Sequence, residues 1–71
     1  MNLSFDQLMT FHAVARHQSF SKAAKALYRS QSAVSIQVAK LEDASGQRLL
    51  DRTTKYLALT EAGEILNRYV G

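Results

Sequence analysis

Seventy-one residues leave room for one small core, and 46% hydrophobic against 21% charged residues is the balance of a chain that folds rather than one that stays disordered. The absence of cysteine excludes disulfides, thiolate nucleophiles and thiolate metal sites, while the lack of a run near the roughly 18 apolar residues of a membrane span, or of a basic stretch leading into an apolar one, leads us to expect a soluble, cytoplasmic protein. Nine basic residues against six acidic ones give a net charge of +3 and an isoelectric point near 9.6, a balance that favours a polyanionic partner.

From about Ser4 to His17, Phe5, Leu8, Phe11, His12 and Ala15 recur at spacings of three and four, the stripe of an amphipathic helix. Ser4 with Gln7 three residues later forms a capping box at its start, and Asp6 adds an acidic group to the first turn. A break at Gln18-Ser19-Phe20 precedes a second, shorter helix over Ser21–Tyr28, rich in alanine and lysine. Arg29-Ser30 interrupts the pattern again. A third helix then begins at a Ser30 or Ser32 cap, carries Val34, Val38 and Leu41 on one stripe and stops at Gly46.

Between Gln47 and Thr60 the period changes, and two apolar segments separated by Thr53-Thr54-Lys55 predict a two-stranded hairpin. Thr60 followed by Glu61 opens a last helix, with Ile65, Leu66, Tyr69 and Val70 as its apolar residues. With no proline, repeat or low-complexity tract, the expected organisation is a single domain with no internal linker.

Two short helices joined by a tight turn form a device for presenting the second of them. Ala24 falls where the pair must approach closely, with Leu27, Val34 and Val38 filling the contact. At 100° per residue, Ser32, Ser35, Ile36 and Ala39 lie opposite the Val34 stripe, giving a small, uncharged outer face. Such a face fits a major groove about 12 Å wide. Gln31 suits bidentate contact with adenine, Ser32 and Ser35 can reach bases or phosphates, and Ile36 suits a thymine methyl. Taken alone, the same face is also what any small helical domain shows to water.

The blocks Ser19-Phe20-Ser21-Lys22-Ala23-Ala24-Lys25-Ala26-Leu27, Ser30-Gln31-Ser32-Ala33-Val34-Ser35, Leu41-Glu42, Gly46, Leu49-Leu50-Asp51-Arg52 and Leu59-Thr60-Glu61-Ala62-Gly63 remove that ambiguity. In order and spacing they resemble the N-terminal domain of bacterial LysR-type transcriptional regulators, from about Leu8 to Gly63. The resemblance implies a mainly α winged helix-turn-helix over residues 1–60, with a three-helix core and a two-stranded wing, followed at 61–71 by the start of a C-terminal linker helix that dimerises. It implies double-stranded DNA as partner, with Ser30, Gln31, Ser32, Ser35, Ile36 and Lys40 on the recognition helix and Arg52, Thr53, Thr54 and Lys55 on the wing, against the backbone or the adjacent minor groove. It also implies a homodimer, possible tetramers of the full-length protein, and a small-molecule effector held by a domain outside this chain. Against the family pattern, Ser32 replaces a common proline, Arg29 an apolar residue and Ile36 a frequent basic one, and the wing tip lacks a glycine.

Other chemistries are poorly served. Glu42, Asp43, Asp51, Glu61 and Glu64 have no nucleophile and base arrayed with them, and the chain is too short to enclose a deep pocket, so no enzyme, cofactor or metal site is expected. His12, on the core stripe, reads as a boundary residue bonded to backbone or water, and His17 as a partner of the helix dipole. Tyr69 and Val70 lie one turn past Ile65 and Leu66, where a second copy is expected to cover them. The rival function is a winged-helix protein-docking module. That role would more often show an apolar patch than an uncharged face flanked by Lys22, Lys25, Lys40, Arg52 and Lys55.

Overall fold

The structure, a computed structural model, describes residues 4–52 and 57–70. Its elements run α1 (Phe5–His17), α2 (Phe20–Ala26), α3 (Gln31–Ser45), β1 (Leu50–Asp51), β2 (Ala58–Leu59) and α4 (Glu61–Val70). The strands pair antiparallel in the register Leu50 with Leu59 and Asp51 with Ala58. The expected three-helix core, short hairpin and trailing helix are therefore present. Among the described residues no helix is long and apolar enough to cross a membrane.

Helices α1, α2 and α3 each begin on a serine. Ser4 accepts a hydrogen bond from the Gln7 N–H at 3.0 Å, and the Gln7 side chain returns to the Ser4 N–H, completing the capping box. Ser19 and Ser30 accept from the N–H groups of Lys22 and Ala33, both at 3.1 Å. Ser30, not Ser32, is thus the cap of α3. Because Ser19 satisfies the orphan donor of α2, that helix starts at Phe20, one residue earlier than the alanine-rich stretch suggests.

Helix α2 also ends two residues short of the expected Tyr28. The N–H of Tyr28 donates to Lys25 O and that of Arg29 to Ala24 O, a Schellman closure with Tyr28 left-handed at φ 56°. Glycine usually marks that position, so a tyrosine conceals the stop. Gly46 closes α3 in the same way and at its expected place, at φ 69°, with Gly46 N–H and Gln47 N–H turned back on the last carbonyls.

The core is built from Phe11 and Val14 of α1, Ala23 and Ala24 of α2, Val34, Val38 and Leu41 of α3, and Leu49 and Leu50 leading into the hairpin. Leu8, Phe20, Leu27, Leu59 and Leu66 pack around it. The two alanines let α2 lie close on its neighbours, as the sequence indicated for Ala24. Phe5 is a correction. It stands in the first turn of α1 and is 78% exposed, because the packed stripe begins one turn later at Leu8.

Candidate nucleic-acid interface

The N-terminal half of α3 presents an exposed face. Gln31, Ser32, Ser35 and Ile36 line one shallow concavity, all four exposed, while Val34, Val38 and Leu41 are fully buried on the opposite side. The helical wheel read from the sequence is thus realised, with exposed Ala39 and Lys40 continuing the face along the helix. Ser30 stands at its edge. Its Oγ accepts from Ala33 N–H, which leaves the hydroxyl proton free to donate outward beside the open amides of the first turn. Lys22 and Lys25 are exposed on α2 and Lys40 farther along α3, so cationic groups border the uncharged surface of Gln31, Ser32, Ser35 and Ile36.

Of the residues expected on the wing, Arg52 is described, and Thr53, Thr54 and Lys55 lie outside the described residues, as does the tip whose turn lacks glycine. Arg52 is exposed but engaged. Its Nη2 lies 3.6 Å from Glu42 Oε1, and its guanidinium carbon sits 5.3 Å from the centroid of the Phe20 ring. The residue therefore spans α2, α3 and the hairpin rather than extending freely from a loop.

Glu42 is the group that sequence reasoning undervalued. Its Oε2 accepts from the N–H of Leu49 at 2.9 Å and of Leu50 at 3.2 Å, and its side chain is largely covered. One carboxylate near the end of α3 thus fixes the entry to the hairpin. The sequence carries a signal for it in the Leu41-Glu42 block, where the acid directly follows a core residue on a helix that stops at Gly46.

A second cross-link ties α1 to the turn before α3. Arg29 Nη2 meets Asp6 Oδ1 at 2.6 Å, and Nη1 donates to the buried Thr10 Oγ1 at 3.4 Å. The hydrogen bond from Arg29 holds the Asp6 carboxyl below its usual range, and Asp6 in turn raises the guanidinium. His12 has a side-chain partner rather than the expected backbone or water: its Nδ1 is 3.0 Å from Asn67 Oδ1, joining α1 to α4. His17 is exposed at the end of α1.

Helix α4 is seated by its first residues. Thr60 Oγ1 donates to Arg48 O at 2.5 Å and accepts from Gly63 N–H at 3.1 Å, and Thr60 N–H donates to Leu49 O at 3.1 Å. Leu66 packs on the core, whereas Ile65 and Tyr69, the latter 87% exposed, flank an apolar groove reaching Leu49 and Ala62. Val70 is half-buried, so the exposed apolar pair on this helix is Ile65 and Tyr69 rather than Tyr69 and Val70.

A helix-turn-helix with an uncharged, small-residue presenting face, a short hairpin beside it and basic flanks is the frame of a nucleic-acid reader. The sequence profile of the bacterial regulatory helix-turn-helix proteins of the lysR family matches residues 5–64, and this chain belongs to that family. It is 49% identical over 69 residues to a RuBisCO operon transcriptional regulator of Allochromatium vinosum, covering 97% of this chain and 23% of that protein. It is 52% identical over 66 residues to an uncharacterized HTH-type transcriptional regulator of Shigella flexneri, covering 93% of this chain and 21% of that protein. The chain thus spans less than a quarter of the length of these relatives.

Among solved structures, the BenM DNA-binding domain in complex with catB site 1 DNA superposes with a TM-score of 0.88 at 36% identity, over 99% of this chain and 76% of that one. DarR of Vibrio fischeri in complex with DNA gives a TM-score of 0.92 at 33% identity, over 99% of this chain and 24% of that one. The winged helix-turn-helix fold expected from the sequence is therefore shared with both.

Proposed function

We propose that this chain binds duplex DNA sequence-specifically as the DNA-binding domain of a LysR-type transcription regulator. The observation that carries the reading is the exposed face of α3, where Gln31, Ser32, Ser35 and Ile36 form one uncharged surface of groove-compatible size. The fold it shares with two DNA-bound relatives supports it. In this reading α3 enters the major groove, Gln31 pairs with adenine, Ile36 meets a thymine methyl, and Ser32 and Ser35 donate to base edges or phosphate. Ser30, Lys40 and Arg52 hold the backbone, joined at the wing by Thr53, Thr54 and Lys55. The domain then works in the cytoplasm.

The division between reading and holding is testable. Gln31→Ala weakens a duplex selected from a random pool by about 1–3 kcal/mol and leaves random duplex nearly unchanged. Lys40→Ala weakens both alike and lowers the salt slope by about one. Titrations at several salt concentrations check both outcomes, and equal losses from the two substitutions would sink the assignment.

We further propose that α4 begins the linking helix of a homodimer, with the groove beside Ile65 and Tyr69 covered by a second copy. Two α3 helices would then address half-sites separated by whole turns of DNA. Tetramer formation and effector binding are assigned to the remainder of a full-length regulator. Tyr69→Asp lowers self-association in sedimentation without changing the helical circular dichroism. A parent and variant that sediment identically as monomers at high concentration contradict this dimer.

A further inference from the structure

The turn that launches α3 adopts a backbone its own residue resists. Tyr28 is left-handed at φ 56°, a region that a residue with a Cβ enters only against steric opposition, and its side chain is 96% exposed, so packing within the domain does not offset that cost. The compensation comes from the next residue. Arg29 reaches back to α1, where its guanidinium meets Asp6 at 2.6 Å and Thr10 at 3.4 Å, while its backbone N–H closes α2 on Ala24 O at 2.9 Å. Thr10 is fully buried, so one end of this link is anchored in the packed interior of the domain. The other end is the residue directly before Ser30, the cap of α3.

We infer that Asp6, Arg29 and Thr10 form a positioning clamp that holds the strained turn and thereby sets the angle at which Gln31 and Ser32 meet the bases. The inference rests on the DNA-binding reading for its consequence. Val34 seats the first turn of α3 on the core but leaves the residues before it to the turn, and base-edge hydrogen bonds from Gln31 and Ser32 require one placement. The clamp also occupies the guanidinium nearest the start of α3 with a carboxylate. A cation beside the groove is thus kept from the sequence-independent attraction of phosphates. Arg29 acts through α3 and the Asp6 pairing, without itself touching a base.

The test compares the parent, Asp6→Asn, and the double variant Asp6→Asn with Tyr28→Gly. Glycine holds the left-handed turn without strain and so removes the need for the clamp. Two readouts are taken: the affinity ratio between a duplex selected by the parent from a random pool and a scrambled duplex of equal composition, and amide hydrogen exchange of Ala33 and Val34 in the free protein.

Asp6→Asn lowers the ratio by about three- to tenfold, as expected of a residue that couples to a site without touching its ligand. It speeds the two amides by about threefold, the scale of a surface ion pair. The double variant recovers both. Unchanged exchange, or a loss that Tyr28→Gly fails to restore, overturns the clamp. A ratio lowered only because random duplex binds more tightly, with a salt slope steeper by about one, overturns it as well by showing that Arg29 was merely a sequestered cation. A parent that selects no sequence at all refutes the DNA-binding reading instead, and the exchange measurements still decide whether the turn is clamped.

Discussion

Gly63→Ala is expected to destabilise the domain by about 3 kcal/mol, the upper end of what a single added methyl does in a packed site. Gly63 is the buried residue of α4, and a Cβ built there overlaps the Leu49 carbonyl oxygen and comes within 3.0 Å of the carbonyl carbon. The neighbour is backbone, and it cannot swing aside. Leu49 is itself fixed at both ends, its N–H on Glu42 and its carbonyl on Thr60 N–H, with its side chain in the core. Relief therefore requires α4 to move off the body, which would separate Asn67 from His12 and lift Leu66 from the cluster. For a chain of this size about 3 kcal/mol corresponds to a melting point lower by on the order of 15 °C. Gly46→Ala is the control: a Cβ there meets open space, and only the left-handed φ of 69° opposes it, at about 1 kcal/mol. Melts of the two variants that coincide, or a Gly63→Ala protein within about 0.5 kcal/mol of the parent, would mean that α4 does not rest on Leu49 as described.

The contrast between these glycines shows which parts of the fold were legible beforehand. Gly46 announced itself, because a glycine after an apolar-periodic stretch is a local backbone signal. Gly63 did not, since inside a helix its function is to admit another segment's backbone, a contact with no local period. The Ser4 capping box, the Val34-Val38-Leu41 stripe and the outward set Gln31, Ser32, Ser35 and Ile36 were legible for the same reason as Gly46, since each follows from helix geometry within a few residues, whereas Ser19 reads as part of a break and the cap of α3 stays open between Ser30 and Ser32. Tyr28 hid the end of α2 because a left-handed residue is usually glycine or asparagine, and Phe5 was misplaced because periodicity continues past the edge of the core it serves. The groups that join elements distant in sequence, Arg29 with Asp6, His12 with Asn67 and Arg52 with Glu42 and Phe20, carry no spacing rule at all. For the candidate interface the residue set could be read from the helix face and the family blocks. The clamp that aims it could not.

Glu42→Ala is expected to cost about 2–6 kcal/mol, because it strips the acceptor from two backbone N–H groups at once and each such group left without a partner costs about 1–3 kcal/mol. The Arg52 ion pair adds little to that sum: it is long at 3.6 Å and its guanidinium is well exposed. The two substitutions thus separate. Arg52→Ala leaves the Glu42 bonds to Leu49 and Leu50 in place and changes stability by only about 0.5 kcal/mol, whereas Glu42→Ala releases the strand that carries Arg52. Glu42→Gln lies between, since an amide oxygen can still accept but without the charge that strengthens both bonds. Urea unfolding of the three variants gives the order Arg52→Ala, Glu42→Gln, Glu42→Ala in increasing loss. If Arg52→Ala equals Glu42→Ala instead, the hairpin is held through the ion pair and the carboxylate-to-backbone bonds are secondary. Because β1 and β2 are only two residues each, the ladder cannot fix the orientation of the hairpin by itself. Glu42 supplies that orientation from the same helix whose opposite end carries Gln31 and Ser32, so α3 both presents the exposed candidate surface and sets the entry of the hairpin beside it.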